Sequence, residues 1–237
     1  MILVGGKGRR LQSVISDRPK PMALVEGRPF LEWLLRLLRS QGMKRITLCT
    51  GYMSEVIENH FGNGNDLQMK LTYSREHTPL GTGGAVRNAL GLTVSSSVLV
   101  LNGDSYCRLD VRRMIREHLA ARALTSIWAV TVDDSSRYGS VEVDETNAVR
   151  AFREKASTKQ AGLINAGIYL FEHSVLEAIP GGRTVSLETD VLPSLTGKGL
   201  HAVIGSTPFI DIGIPEVYNV AGAFLKEELS WLNTQPS

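Results

Sequence analysis

Among its 237 residues the chain has two cysteines, three tryptophans and 6% aromatic residues. With only two cysteines, buried thiols fit better than a disulfide framework. Cys49 and Cys107 show no metal-ligand spacing and fall in or just after apolar runs, as buried thiols do in a reducing compartment. No apolar run approaches the roughly 18 residues needed to cross a bilayer, and no charged stretch leads into a long apolar one at the start. The cytoplasm is therefore the expected compartment. An excess of one charge is missing too, since 26 basic and 24 acidic residues leave a formal +2. That balance argues against a long nucleic acid or an anionic membrane as partner, so any basic site must be local. Repeats, low-complexity tracts and an obvious interdomain linker are absent. The five histidines, His60, His77, His118, His173 and His201, show no ligand spacing and read as surface or incidental residues.

What is present is a 43% hydrophobic fraction, ordinary for a soluble globular core. Short apolar runs alternate with helical patterns: Ile2–Val4 before Phe30–Leu38, Ile46–Cys49 before Ser54–Phe61, Met69–Tyr73 before Gly84–Leu90, Val98–Leu101 before Val111–Ala121. Such alternation predicts βαβ units and an α/β fold, a doubly wound, mostly parallel sheet with helices on both faces. Leu31, Leu34, Leu35 and Leu38 recur at helical spacing and form a core stripe. After Ile127–Val132 the runs Ser140–Val143, Val149–Phe152 and Ile164–Phe171 predict antiparallel or mixed strands in a site-covering lobe, and Glu216–Leu232 a closing amphipathic helix.

The loop after the first run reads Gly5-Gly6-Lys7-Gly8-Arg9-Arg10-Leu11. Ligands bind beyond the carboxyl ends of strands in open α/β sheets, and the first such loop is a common phosphate site. Its glycines let main-chain N–H groups approach an anion while Arg9 and Arg10 add charge. The third glycine of the dinucleotide fingerprint is missing, as is the P-loop lysine followed by Ser/Thr. Pro19-Lys20-Pro21 then sets a lysine on a stiffened segment biased to extended backbone. A pre-positioned ammonium suits charge that builds on a phosphoryl group during transfer. Further along, Pro79-Leu80-Gly81-Thr82-Gly83-Gly84-Ala85 leads into a helical pattern and offers backbone N–H groups and close approach to a flat ligand. Just before it, Glu76 is either a surface glutamate or a carboxylate able to accept two hydrogen bonds from a ligand. The run Val98–Leu101 ends at Asn102-Gly103-Asp104, which places Asp104 at the ligand edge of a sheet. Ile210-Asp211-Ile212-Gly213 brings a second aspartate out of an apolar run, on its own a turn residue. Glu154-Lys155 alone is a surface charge pair.

Gly5-Gly6-x-Gly8-x-Arg10-Leu11 with Pro19-Lys20-Pro21-Met22 resembles the signature of the sugar-1-phosphate nucleotidyltransferases, which join a nucleoside triphosphate (NTP) to a sugar phosphate. The resemblance implies a Rossmann-like, mixed but mostly parallel sheet of the nucleotide-diphospho-sugar transferase type. It implies a single domain over 1–237, with a nucleotide-binding half over 1–125 and a sugar-phosphate half over 126–237. Arg10 and Lys20 are then catalytic. Gly5, Gly6 and Gly8 hold the triphosphate, Gly81, Gly83 and Gly84 pack on the base, and Glu76 reads the base edge. Asp104 and Asp211 bind Mg²⁺, while Glu154, Lys155, Asn165, Gly167 and Glu188 take the sugar phosphate. The chain departs from the family at Arg9, where threonine is usual, and in a short first strand. Among the sub-families it most resembles those that transfer GMP from GTP to D-glycero-α-D-manno-heptose 1-phosphate, giving GDP-heptose for surface glycans. Mannose-1-phosphate guanylyltransferases and N-acetylmuramate-1-phosphate uridylyltransferases are alternatives, and a catalytically silent nucleotide-sugar sensor is the non-enzymatic one. The implied partners are GTP and a sugar 1-phosphate, without nucleic acid or membrane; a homo-oligomer is left open.

Overall fold

The computed structural model describes residues 1–11, 14–153, 159–205 and 208–233. In chain order the elements are β1 (Ile2–Leu3), β2 (Leu24–Val25), β3 (Arg28–Pro29), α1 (Phe30–Ser40), β4 (Arg45–Thr50), α2 (Ser54–Phe61), β5 (Lys70–Arg75), α3 (Gly81–Ala89), β6 (Ser97–Asn102) and β7 (Ser105–Cys107). They continue as α4 (Val111–Ala120), β8 (Thr125–Val132), β9 (Ser140–Val143), β10 (Val149–Arg153), β11 (Gly162–Glu172), α5 (His173–Glu177), α6 (Leu192–Leu195), β12 (Leu200–Ile204), β13 (Phe209–Asp211) and α7 (Pro215–Asn233). Single 3₁₀ turns at Arg9–Leu11 and Lys20–Met22 and a π turn at Leu187–Val191 carry candidate residues.

The chain forms two compact units that interleave along the sequence. One comprises Met1–Pro79, Asn102–Cys107 and Phe209–Ser237; the other comprises Leu80–Leu101 and Arg108–Pro208. In the first, β1, β4 and β5 are parallel neighbours, with Ile2 opposite Leu48 and Leu48 opposite Tyr73. Helix α1 buries Phe30, Leu31, Trp33, Leu34, Leu35, Leu37 and Leu38, because its apolar residues recur at the helical period and cover more than one face. Its entry is fixed by the Trp33 indole N–H, which donates to the Val25 carbonyl at 3.2 Å. Strands β7 and β13 pair antiparallel as a short ribbon, Asp211 opposite Ser105. Both cysteines are buried, and burial pushes the Cys49 thiol up to about 12, with the nearby Glu76 charge adding to it.

In the second unit β11 runs antiparallel to β6 and to β8, β9 pairs with β10, and β12 runs parallel to β8. These are the antiparallel and mixed strands expected after Val132. Helix α4 starts at Asp110, whose carboxylate accepts the Arg113 backbone N–H at 2.8 Å. Among the described residues no helix is long and apolar enough to cross a membrane.

Two histidines correct the sequence reading. His118 is 1% exposed, within hydrogen-bond reach of Ser126 Oγ (2.8 Å) and Glu172 Oε1 (3.0 Å), and His201 is 9% exposed. His118 shares the buried face of α4 with Val111 and Met114, and His201 lies in β12; each is the polar member of a buried set, so residue type pointed to the surface and tertiary packing shows the burial.

Candidate active site

In the first unit the glycine loop is held by a 3₁₀ turn in which the Leu11 N–H donates to the Gly8 carbonyl at 2.9 Å, with Leu11 buried as its anchor. Gly8 has φ +57° and its missing Cβ would lie 2.9 Å from the Lys20 Cβ, so no other residue suits this position. The loop therefore lies against the Lys20 stem. Gly6 is exposed with nothing within 4 Å of where a Cβ would stand, and Arg10 is exposed. The Pro19-Lys20-Pro21 segment differs from expectation: Lys20 opens a 3₁₀ turn closed by the Met22 N–H on the Pro19 carbonyl, while Pro19 itself is extended at φ −70°, ψ 152°. Proline at the second position of such a turn sacrifices no internal hydrogen bond, which lets Pro21 join it.

Lys20 Nζ lies 2.7 Å from Asp104 Oδ2 and 3.4 Å from Asp211 Oδ1. Its side chain is 10% exposed, against 40% for Asp104 and 24% for Asp211. An ammonium taken that far out of water needs anionic partners, and two carboxylates supply them. The ribbon explains why residues so distant in sequence meet. Asp211 stands opposite Ser105, and the Ile212 N–H donates to the Asp104 carbonyl at 3.0 Å. Asp211 Oδ1 also accepts the Gly213 N–H at 2.8 Å, and a Cβ on Gly213 would crowd both Asp211 and Lys20.

Glu76 follows β5, and its carboxylate lies against the backbone of Gly5 and Gly51, where a Cβ at either would come within 2.7 Å of Oε1. These glycines make room for a carboxylate. Gly51 thus has a role that motif reading left unassigned; its signal was its place in a glycine–tyrosine pair after β4. Asn102 was also passed over, although its Oδ1 is buried with no hydrogen-bond partner among the described residues, two positions before Asp104.

In the second unit Gly81, Gly83 and Gly84 form the first turn of α3, but their N–H groups are not all free for a ligand. The Val185 carbonyl accepts from Gly83 at 2.8 Å and from Gly84 at 3.2 Å, and the Val185 N–H donates to the Leu80 carbonyl. A Cβ on Gly84 would lie 2.6 Å from the Arg183 carbonyl oxygen. Close approach is the reason for glycine here, as expected, yet part of it is spent on the chain's own 183–185 segment.

Asn165 and Gly167 lie in a bulge of β11, where Asn165 opposes Ala129 and Tyr169 opposes Ile127. Gly167, at φ +73°, donates its N–H to Asn165 Oδ1 at 3.0 Å, a local turn that glycine permits. Asn165 Nδ2 donates to the hydroxyl of the fully buried Tyr169 at 2.8 Å, although four residues of regular strand would span about 13 Å. The Tyr169 hydroxyl donates to Glu188 Oε1 at 3.1 Å, so Asn165, Gly167 and Glu188 share one polar cluster. Glu154 and Lys155 lie outside the described residues.

The first unit thus gathers a glycine loop, a lysine held by two aspartates and a glycine-cradled carboxylate. Residues 1–228 match the model of the nucleotidyl transferase family, and the chain belongs to that family. Within it, the chain is 37% identical over 222 residues to D-glycero-alpha-D-manno-heptose 1-phosphate guanylyltransferase from Aneurinibacillus thermoaerophilus, covering 93% of this chain and 95% of that protein. The Campylobacter jejuni protein of the same name is 39% identical, covering 92% of this chain and 96% of that one. The crystal structure of HddC from Yersinia pseudotuberculosis complexed with GMP-PN superimposes with a TM-score of 0.85 at 39% identity, over 94% of this chain and 97% of that one. The α/β fold is therefore the Rossmann-like one of nucleotidyltransferases.

Proposed function

We propose that this protein transfers GMP from GTP to D-glycero-α-D-manno-heptose 1-phosphate, producing GDP-heptose and pyrophosphate. The observation that carries the reading is the Lys20 ammonium held between Asp104 and Asp211 at 2.7 and 3.4 Å. The heptose 1-phosphate guanylyltransferases similar to it along nearly its whole length support the choice of sugar and base.

In this reading a phosphate oxygen of the sugar 1-phosphate attacks the α-phosphorus of GTP. The new P–O bond forms as the bond to the bridging oxygen breaks, and pyrophosphate leaves with that electron pair. Little covalent work falls to the protein, so positioning and charge neutralisation dominate. Lys20 serves the α-phosphate, and Arg10 with Gly5, Gly6 and Gly8 serves the triphosphate. Glu76 accepts the N1–H and N2–H of guanine, Gly81, Gly83 and Gly84 back the base, and Asn165, Gly167 and Glu188 address the sugar. Glu154 and Lys155 are assigned the remaining sugar and phosphate contacts. Asp104 and Asp211 fit Mg²⁺, being hard oxygen donors already gathered around one cation. Among the described residues no larger set of three or more His, Cys, Asp or Glu forms a metal cluster, which suits an ion sharing its shell with substrate and water. When bound there, Mg²⁺ would offset triphosphate charge.

A pyrophosphate-release assay tests this, with each of four nucleoside triphosphates against heptose-, mannose- and N-acetylmuramate-1-phosphate. Release with GTP and the heptose phosphate is expected. Preference for another pair would reassign the substrate, and binding without release would make the protein a sensor.

A further inference from the structure

Glu188 is held by more hydroxyls than a carboxylate at the edge of a loop needs. Its Oε2 accepts from Thr82 Oγ1 at 2.7 Å and from Ser186 Oγ at 3.0 Å, while its Oε1 accepts from the Tyr169 hydroxyl at 3.1 Å. The direction of each bond is set by chemistry. An ionised carboxylate only accepts, so Tyr169 must point its single proton at Glu188 and meet Asn165 as an acceptor. Asn165 must then present Nδ2 to Tyr169, and its Oδ1 takes the Gly167 N–H. At the other end Thr82 Oγ1 gives its proton to Glu188 and accepts the Leu187 N–H at 2.7 Å. One ordered chain of hydrogen bonds thus runs from the first turn of α3 through the π turn to the bulge of β11. Its middle acceptor, Glu188 Oε1, keeps lone-pair capacity for a further hydroxyl.

The Thr82 hydroxyl is not needed to fasten α3 to the 183–187 segment. The backbone does so through Gly83, Gly84 and Leu80 against Val185, and none of those bonds uses a side chain. What the hydroxyl adds is aim. We propose that Thr82 is a positioning residue for the acceptor sugar. It orients the Glu188 carboxylate so that Oε1 accepts a sugar hydroxyl, and through Tyr169 it holds the Asn165 amide in one orientation. The ligand class is a polyol phosphate. The inference rests on the reading that Asn165 and Glu188 address the sugar 1-phosphate.

Steady-state kinetics with GTP and heptose 1-phosphate test it. In Thr82→Val, KM for the sugar phosphate should rise about fivefold to tenfold, the net worth of one ordinary hydrogen bond, since Ser186 and Tyr169 still hold Glu188. KM for GTP should move less than twofold, and Thr82→Ser should restore the sugar KM because it returns the hydroxyl. Tyr169→Phe, which leaves α3 untouched, should raise the sugar KM in the same direction and decides the matter if Thr82→Val does not fold. An unchanged sugar KM in both variants would overturn the proposal. So would a serine variant as impaired as the valine one, or an equal rise in KM for GTP. Wild-type turnover with unaltered variants would remove this inference alone; a wild type inactive on every sugar 1-phosphate would remove the functional reading and this inference with it.

Discussion

At the scale of single residues the candidate chemistry rests on Lys20. Its ammonium is nearly buried and is compensated by two carboxylates that keep more contact with water than it does. Replacing Lys20 by alanine removes a preorganised cation, worth about 3 kcal/mol of barrier by comparison with deletion of one oxyanion donor. Turnover of Lys20→Ala should fall at least a hundredfold while its far-ultraviolet circular dichroism stays that of the wild type; near-normal turnover would take Lys20 out of the mechanism. Under the proposed function Glu76 is the corresponding residue for the base. Glu76→Gln turns one of two acceptors into a donor facing a donor, so kcat/KM with GTP should drop about tenfold relative to UTP, a cost of about 1.4 kcal/mol. Competition between the two nucleotides in one reaction measures that ratio directly.

At the scale of elements, the glycines of α3 carry a structural duty that can be separated from any ligand. A methyl group at Gly84 would meet the Arg183 carbonyl oxygen at 2.6 Å and Leu80 Cβ at 2.9 Å, and backbone cannot step aside as a flexible side chain can. Gly84→Ala should lose about 2 kcal/mol in urea unfolding without nucleotide present. Gly6→Ala, where nothing lies within 4 Å, should stay within about 0.5 kcal/mol of the wild type and serves as the control. Elements of this size were the most legible part of the chain. Helix α2 spans Ser54–Phe61 as its pattern indicates, and the α1 stripe of Leu31, Leu34, Leu35 and Leu38 is buried. The β7–β13 ribbon was not legible, since three-residue strands are too short to show a period. The engagement of Gly83 and Gly84 was hidden for another reason: their partner, Val185, belongs to a segment far along the chain.

At the scale of the whole molecule, stability is tied to pH through buried histidine. Burial lowers the pKa of His201; the neighbouring His118 lowers it further, against Glu117 and Asp144, which raise it. The fold thus favours neutral imidazole. Its contribution is complete above the unfolded value of about 6.5 and is lost as pH falls below that towards the folded value. The urea midpoint should therefore drop between about pH 7.5 and about pH 5.5, and His201→Gln should flatten that part of the curve. Glu172 acts in a more acidic window. Hydrogen bonds from His118 and Ser97 lower its pKa, so its share is present above the ordinary carboxylate range and is lost only on acidification through the folded value. The interleaving of the two units also limited what position along the chain could reveal. Asp211 belongs with Lys20 and Asp104 because the chain returns there after residue 208, and no local pattern announces a return. The glycine loop, the lysine between prolines and Asp104 nonetheless stood out as candidates from their local pattern, whereas Asp211 alone read as a turn residue and joined them only through the family resemblance.

The bulge in β11 has one more consequence. Between Asn165 and Tyr169 the strand spends four residues where β8 spends two, and the surplus is even. An even surplus preserves the alternation of side chains between the two faces of a sheet, so Ile168 to Glu172 stay in step with β6. Removing a single residue between 165 and 169 would make the surplus odd and turn every later side chain of the strand to the opposite face. In this segment the count of residues is as binding a constraint as their identity.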